Sequence, residues 1–200
     1  MTGMPTKAQQ RADTTSALVA TARELFAKNG YPHVSLAEIV KVAGVTKGAL
    51  YHYFDCKEDL FRAVLQQVHE DVAVQVAAAL DGDPWDRLLA GCRTFLTAAT
   101  DLPNQRIMLV DAPAVLGWET WRAFDATTSM RHLVDVLQDL IDQRVFAEQP
   151  VEPLAHLLSG AMNEAALWLA ASPQAEHDLD NLMAALTALL EGLRTDRRLG

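Results

Sequence analysis

The stretch SLAEIVKVAGVTKGALYHYF, residues 35–54, contains two helix starts and one helix end in close succession. Ser35 with Glu38 makes an S-x-x-E capping box, in which the hydroxyl takes an orphan N–H and the carboxylate reaches back to the cap. Ile39, Val40 and Ala43 follow as one apolar face. Gly44 is the residue able to leave a helix with positive φ, and Thr46 caps a second helix, predicted from about Lys47 to Phe54. Val45 and Leu50 face inward on it, leaving Thr46, Lys47, Gly48, Tyr51 and His52 for its outer side. Two helices joined by a short turn containing Gly form a helix-turn-helix, whose second helix enters the DNA major groove.

Upstream, Met1 to Arg11 reads as a polar arm in which Lys7 and Arg11 could reach phosphates. A helix is predicted from about Asp13 to Lys28, with Leu18, Ala22, Leu25 and Phe26 as its apolar stripe. Gly30 ends it, and Tyr31-Pro32 carries the chain into the capping box. Leu18, Phe26, Ile39 and Leu50 are the expected core of a three-helix head that holds the reading helix rigid.

From Thr21 to Leu60 the chain resembles the N-terminal domain of TetR-family transcriptional regulators. The resemblance rests on Ala22, Leu25, Phe26, Gly30 and Tyr31 ahead of the turn, then Ser35, Ile39, Ala43-Gly44-Val45, Lys47-Gly48, Leu50-Tyr51, Phe54 and Lys57-Glu58-Asp59-Leu60. It implies a homodimer on a near-palindromic double-stranded operator, with a helix from Lys57 onward linking the head to a ligand domain. Ser35, Thr46, Lys47, Gly48, Tyr51, His52 and Lys57 are the expected DNA-binding residues, Lys57 as a phosphate contact at its helix's first turn. Val40 stands where the family usually has Ala, and Cys56 stands where a better helix cap is usual.

Charge is segregated along the chain. The net charge is -9, yet residues 1–62 hold 8 Lys/Arg against 6 Asp/Glu while residues 63–200 hold 9 against 20. An acidic body repels phosphate except through the basic head, which orients the approach to DNA. The two cysteines, Cys56 and Cys92, form neither a disulfide framework nor a zinc motif. No signal-like opening and no apolar run of about 18 residues is present, so a cytoplasmic location is expected.

The division expected from sequence is a helix-turn-helix DNA-binding domain at 1–62 and a ligand-binding and dimerisation domain at 63–200. The whole is an all-α fold of about nine helices, read from apolar periodicity. Lys57 to Leu80 is one helix with Leu60, Val64, Val68, Val72, Val76 and Leu80 recurring near every fourth residue. Asp81 to Pro84 breaks the chain before a helix striped by Trp85, Leu88, Leu89, Cys92, Phe95 and Leu96. Gln105 to Gly117 reads as short helix and loop, and Trp118 to Val145 as a single helix with Thr128 among its inward residues. The clustered aromatic and Met residues point to a cavity for a small apolar or aromatic effector. Its expected wall is Phe95, Met108, Trp118, Trp121, Phe124 and Met130, with Asp111, Arg122, His132 and Asn163 as polar anchors.

The last two helices, after Pro150/Pro153 and after Ser172-Pro173, are more apolar than one buried face requires. Leu157, Gly160, Ala161, Ala165 and Trp168 on the first, with Leu182, Leu186, Leu189 and Leu190 on the second, are the expected interface of a four-helix bundle between two subunits. No catalytic or metal-ligating motif is recognisable, so neither an enzyme nor a cofactor is expected. The expected function is repression relieved by the effector. The alternatives are an activator, a response to a redox or protein signal, or a small-molecule-binding protein that no longer reads DNA.

Overall fold

A computed structural model describes residues 7–79, 81–127 and 129–195. The polar arm over residues 1–6 and the inward positions Leu80 and Thr128 lie outside the described residues. The helices are α1 (Lys7–Asn29), α2 (Leu36–Ala43), α3 (Lys47–Tyr53), α4 (Lys57–Ala78), α5 (Pro84–Thr100), α6 (Leu102–Gln105), α7 (Ala112–Leu116), α8 (Trp118–Thr127), α9 (Ser129–Asp142), α10 (Val151–Ala170) and α11 (Ala175–Glu191). A 3-10 turn, Tyr31–His33, precedes α2, and a π-helix, Arg106–Asp111, joins α6 to α7.

The described chain forms two compact units, Met1–Val68 with Leu102–Trp118, and His69–Asp101 with Glu119–Gly200. In this division 102–118 groups with the first unit, and α4 supplies 57–68 to the first and 69–78 to the second.

In the first unit the local signals act as their chemistry requires. The Ser35 hydroxyl accepts the Glu38 N–H at 3.2 Å, Gly44 ends α2 at φ 68°, and Thr46 Oγ1 accepts the Ala49 N–H at 3.1 Å. Leu18, Ala22, Phe26, Ile39 and Leu50 are fully buried between α1, α2 and α3. Phe61 of α4 meets the Phe26 ring edge-on at 5.4 Å and the Tyr31 ring at 5.0 Å, joining α4 to this core. Ile107, Met108, Leu109, Ala112 and Leu116 extend it from the π-helix and α7.

Two stretches differ from the sequence expectation. Gln105 to Gly117 is helical up to Leu116. Pro103 and Pro113 do not break it because each is the second residue of its helix, where a missing N–H costs little. Ahead of Pro113 the backbone widens to i→i+5 bonding, with the Ala112 N–H on the Ile107 carbonyl, which eases the clash a proline makes with the preceding turn. The stretch expected as one helix from Trp118 to Val145 is helical at every described residue up to Asp142, and the first helix is already present at Lys7, ahead of the expected start near Asp13.

In the second unit α5, α9 and α10 pack on one another, and α11 lies against α5 and α10. Asp83 starts α5 by accepting the Trp85 and Asp86 N–H groups at 2.9 and 3.1 Å, with Pro84 in the first turn. Phe146 is buried in the α9–α10 connection, bridges to Arg194 by main-chain pairing and meets Trp85 edge-on.

Gly30 has φ 82° and ψ 151°, a region open essentially to glycine, and an added Cβ would lie 2.5 Å from the Arg106 guanidinium. Gly30→Ala is expected to destabilise the protein by about 1–3 kcal/mol, read as a lower urea midpoint at unchanged m-value.

Candidate nucleic-acid interface and internal cavity

The outer side of α3 is built from short-range rules. Leu50 points into the core, so the helical period turns Lys47, Gly48, Tyr51 and His52 outward, and Tyr51 remains 47 % exposed. Lys47 Nζ lies 5.7 Å from the Tyr51 ring centre one turn on, a cation–π contact that holds the ammonium over the helix face. Gly48 has no internal justification: a Cβ there would meet nothing nearer than Thr46 Oγ1 at 4.0 Å. Glycine within a helix costs about 1 kcal/mol relative to alanine. An exposed glycine without a packing reason fits close approach by another molecule's backbone. Arg11 of α1 joins the same face, with Nη2 3.3 Å from His52 Nε2 and the guanidinium 5.9 Å from the Tyr53 ring. Arg11 is thus held on a helix, not in a frayed arm.

Ser35 and Thr46 are exposed at the starts of α2 and α3, but their hydroxyls are engaged in capping. Lys57, expected as a phosphate contact, is also engaged within the chain. Its ammonium donates to the Tyr31 carbonyl at 2.5 Å and lies 4.0 Å from the Tyr31 ring centre. Burial lowers the Lys57 pKa, partly opposed by the Asp111 carboxylate, which favours the charged form.

Asp111 and Met108 also differ from expectation. Both are buried in the first unit and neither lines the cavity of the second. Asp111 accepts the Tyr31 N–H at 2.9 Å and lies 4.0 Å from Arg106 Nε. No local pattern could announce this contact, since its partners are 80 residues apart.

The second unit contains a small cavity of about 60 Å³, lined by Val76 of α4, Arg87, Leu88, Gly91, Cys92 and Phe95 of α5, Met130, His132, Leu133 and Val136 of α9, and Ser159 and Met162 of α10. Phe95, Met130 and His132 are the expected ligand residues that line it. Of the others, Trp121, Arg122, Phe124 and Asn163 belong to that unit outside the lining, and Trp118 belongs to the first unit. Trp121 is buried, Phe124 stacks on His69 at 6.3 Å, Arg122 donates to Ser159 at 3.4 Å, Asn163 is buried, and Trp118 is 65 % exposed. Arg87, absent from the sequence expectation, is a lining residue paired with Asp139. It lies off the apolar stripe of α5, so the helical period carried no signal for it.

On the outer faces of α10 and α11, Leu157 and Leu189 are 73 % and 74 % exposed, Trp168 is half exposed, and Gly160 and Ala161 are open. Ala165 and Leu182 are half-buried beside them, while Leu186 and Leu190 turn into the unit's own core. Among the described residues no helix is long and apolar enough to cross a membrane.

Burial pushes the Cys92 thiol up to about 12, which leaves almost no thiolate at neutral pH, whereas Cys56 is exposed. In the native protein at pH 8, Ellman's reagent is expected to titrate one thiol per chain, rising to two in denaturant. A rapid second native thiol would remove this assignment.

Comparison with known proteins covers both units. The model for bacterial regulatory proteins of the tetR family matches residues 18–64, and that for the tetracyclin repressor-like C-terminal domain matches residues 85–193. A solved TetR-family transcriptional regulator from Pectobacterium atrosepticum is 35 % identical, with 96 % of this chain and 100 % of that one covered and a TM-score of 0.78. The transposon Tn10 TetC protein of Escherichia coli is 27 % identical over 74 % of this chain and 75 % of its own length. The probable regulator ArpR of Pseudomonas putida is 33 % identical, but over only 42 % of this chain and 39 % of its own. The chain is a member of the TetR family of transcriptional regulators, a DNA-binding helix-turn-helix protein and not an enzyme.

Proposed function

We propose that this protein is a cytoplasmic homodimeric repressor that leaves a near-palindromic operator when a small apolar or aromatic molecule enters the second unit. The observation that carries the reading is the double engagement of α4. Val76 of this helix lines the cavity, while Lys57 and Phe61 of the same helix hold the Tyr31 turn that leads into α2. A cavity of about 150 Å³ accommodates benzene, whereas this one measures about 60 Å³. An effector of benzene size or larger therefore enters only by displacing lining helices. α4 runs unbroken from Lys57 to Ala78, and this continuity supports passage of a displacement at Val76 to Lys57. By linkage the effector favours the form that DNA disfavours, and operator DNA weakens effector binding by the same factor.

Dimerisation supplies the geometry of reading. Two reading helices set roughly 34–36 Å apart meet successive major grooves on one side of the duplex. The open apolar faces of α10 and α11, with small residues Gly160 and Ala161 permitting close approach, support a four-helix bundle between subunits. Lys47 is assigned a phosphate contact, Gly48 close backbone approach, and Tyr51 and His52 contacts at the groove. Burial of Cys92 disfavours a redox signal through that thiol.

Fluorescence anisotropy on the DNA upstream of its own gene is expected to show about thousandfold preference over scrambled DNA at physiological salt. Lys47→Ala should weaken binding to all sequences and lower the salt slope by about one. Equal, weak binding to both DNAs, persisting through selection from random sequence, would reject the DNA-reading assignment.

The double variant Leu157→Glu with Leu189→Glu alters two side chains that are exposed in the single chain, so its fold should persist. Light scattering is expected to fall from twice the chain mass of 21.9 kDa to that mass itself, with operator affinity falling in parallel. A dimer surviving both substitutions would place the interface elsewhere.

A further inference from the structure

We propose that Arg87 is the specificity-determining anchor of the cavity, and that the effector is an uncharged, mainly apolar molecule bearing one hydrogen-bond acceptor oxygen, such as a ketone or aldehyde carbonyl. This rests on the effector-cavity reading above and deepens it. Arg87 itself lines the cavity with Leu88 and Gly91 of α5, and its ion-pair partner Asp139 lies one turn from the lining residue Val136 on α9. The pair neutralises the guanidinium through Nη2 but leaves Nε unused: this atom is buried and has no acceptor among the described residues. A buried donor without an acceptor is costly, and the cost is removed when a ligand supplies one. The lining holds no carboxylate and no Lys.

That arrangement discriminates in two ways. A hydrocarbon fills the apolar volume but leaves Nε–H unpaired. A carboxylate reaches Nε only beside the Asp139 carboxylate, which already holds the guanidinium, and it leaves a net negative charge in an apolar cavity. A neutral acceptor meets Nε–H with the ion pair intact. Sites built around a buried donor reject analogues that lack the matching group much more strongly than apolar walls reject a missing methylene.

Isosteric pairs in which C=O replaces C=CH2 isolate the interaction at constant shape. Cyclohexanone against methylenecyclohexane, acetophenone against α-methylstyrene, and 2-acetonaphthalene against 2-isopropenylnaphthalene span three sizes, with benzoate as the charged comparison. Titration calorimetry on the full-length protein is expected to show about tenfold or greater preference for the carbonyl member of the pair that fits, with benzoate weaker than acetophenone. Arg87→Lys keeps a cation for Asp139 and removes Nε. It should bring the pair to within about threefold by weakening the carbonyl member alone, and the hydrocarbon's unchanged affinity shows that the variant cavity is folded. Equal binding of both members to the wild-type protein, a preference that survives Arg87→Lys, or tighter binding of benzoate would overturn the anchor while leaving the effector cavity standing. Failure of all six neutral probes to bind would instead remove the apolar-effector reading, and the anchor with it.

Discussion

The Tyr31 turn is the constraint on which the DNA-reading head depends. Here the chain leaves α1 through a glycine-only conformation and must be aimed into α2 without the help of regular helix bonding. Tyr31 is held at every available group: its N–H by the Asp111 carboxylate, its carbonyl by the Lys57 ammonium, its ring by Phe26 and Phe61. A main-chain N–H left unpaired away from water costs about 1–3 kcal/mol. Asp111 therefore contributes more than a surface ion pair would. The positive φ of Gly30 explains why the turn tolerates no side chain. These contacts come from three separated segments, so the orientation of the head is a cooperative property of the first unit and not of the motif alone.

That arrangement changes the meaning of Lys57. As a surface lysine at a helix start it would be a free phosphate ligand. Seated over the Tyr31 ring and partly desolvated, it becomes a structural cation whose engagement with DNA would have to compete with the turn. Lys47 of α3 and Arg11 of α1 place cations on the outer face beside Tyr51 and His52. With 8 Lys/Arg against 6 Asp/Glu the head has a modest electrostatic footprint, and the acidic remainder of the chain adds none. Selectivity in such a protein depends on dimer geometry and base-edge contacts more than on bulk charge.

The second unit is packed closely enough that its cavity is smaller than one benzene ring requires. In general, close-packed interiors do not deform continuously but move between discrete arrangements of whole helices. The polar part of the same cavity is sparse, which places specificity in the few donors and acceptors that exist. Cys92 contributes bulk and not reactivity, because its surroundings disfavour the thiolate.

The capped helix pair was legible in the chain because every signal in it is local. Ser35, Gly44 and Thr46 act on N–H groups and dihedral angles within a few residues, and the helical period alone places Leu50 inward and Lys47 outward. The apolar stripes of α4, α5, α10 and α11 were legible for the same reason. Residues 102–118 were not, since their helical state survives two prolines through a widened turn and their allegiance to the first unit is decided by long-range packing. Met108 and Asp111 look like members of an aromatic and polar cluster in sequence, yet they belong to the first unit's interior. Arg87 reads as an ordinary charged residue near a helix start until Asp139, on a distant helix, neutralises it beside an apolar cavity. Hydrogen bonding and side-chain period act along the chain, and so the sequence carries them openly. Which buried group meets which partner is settled only when separate helices pack together.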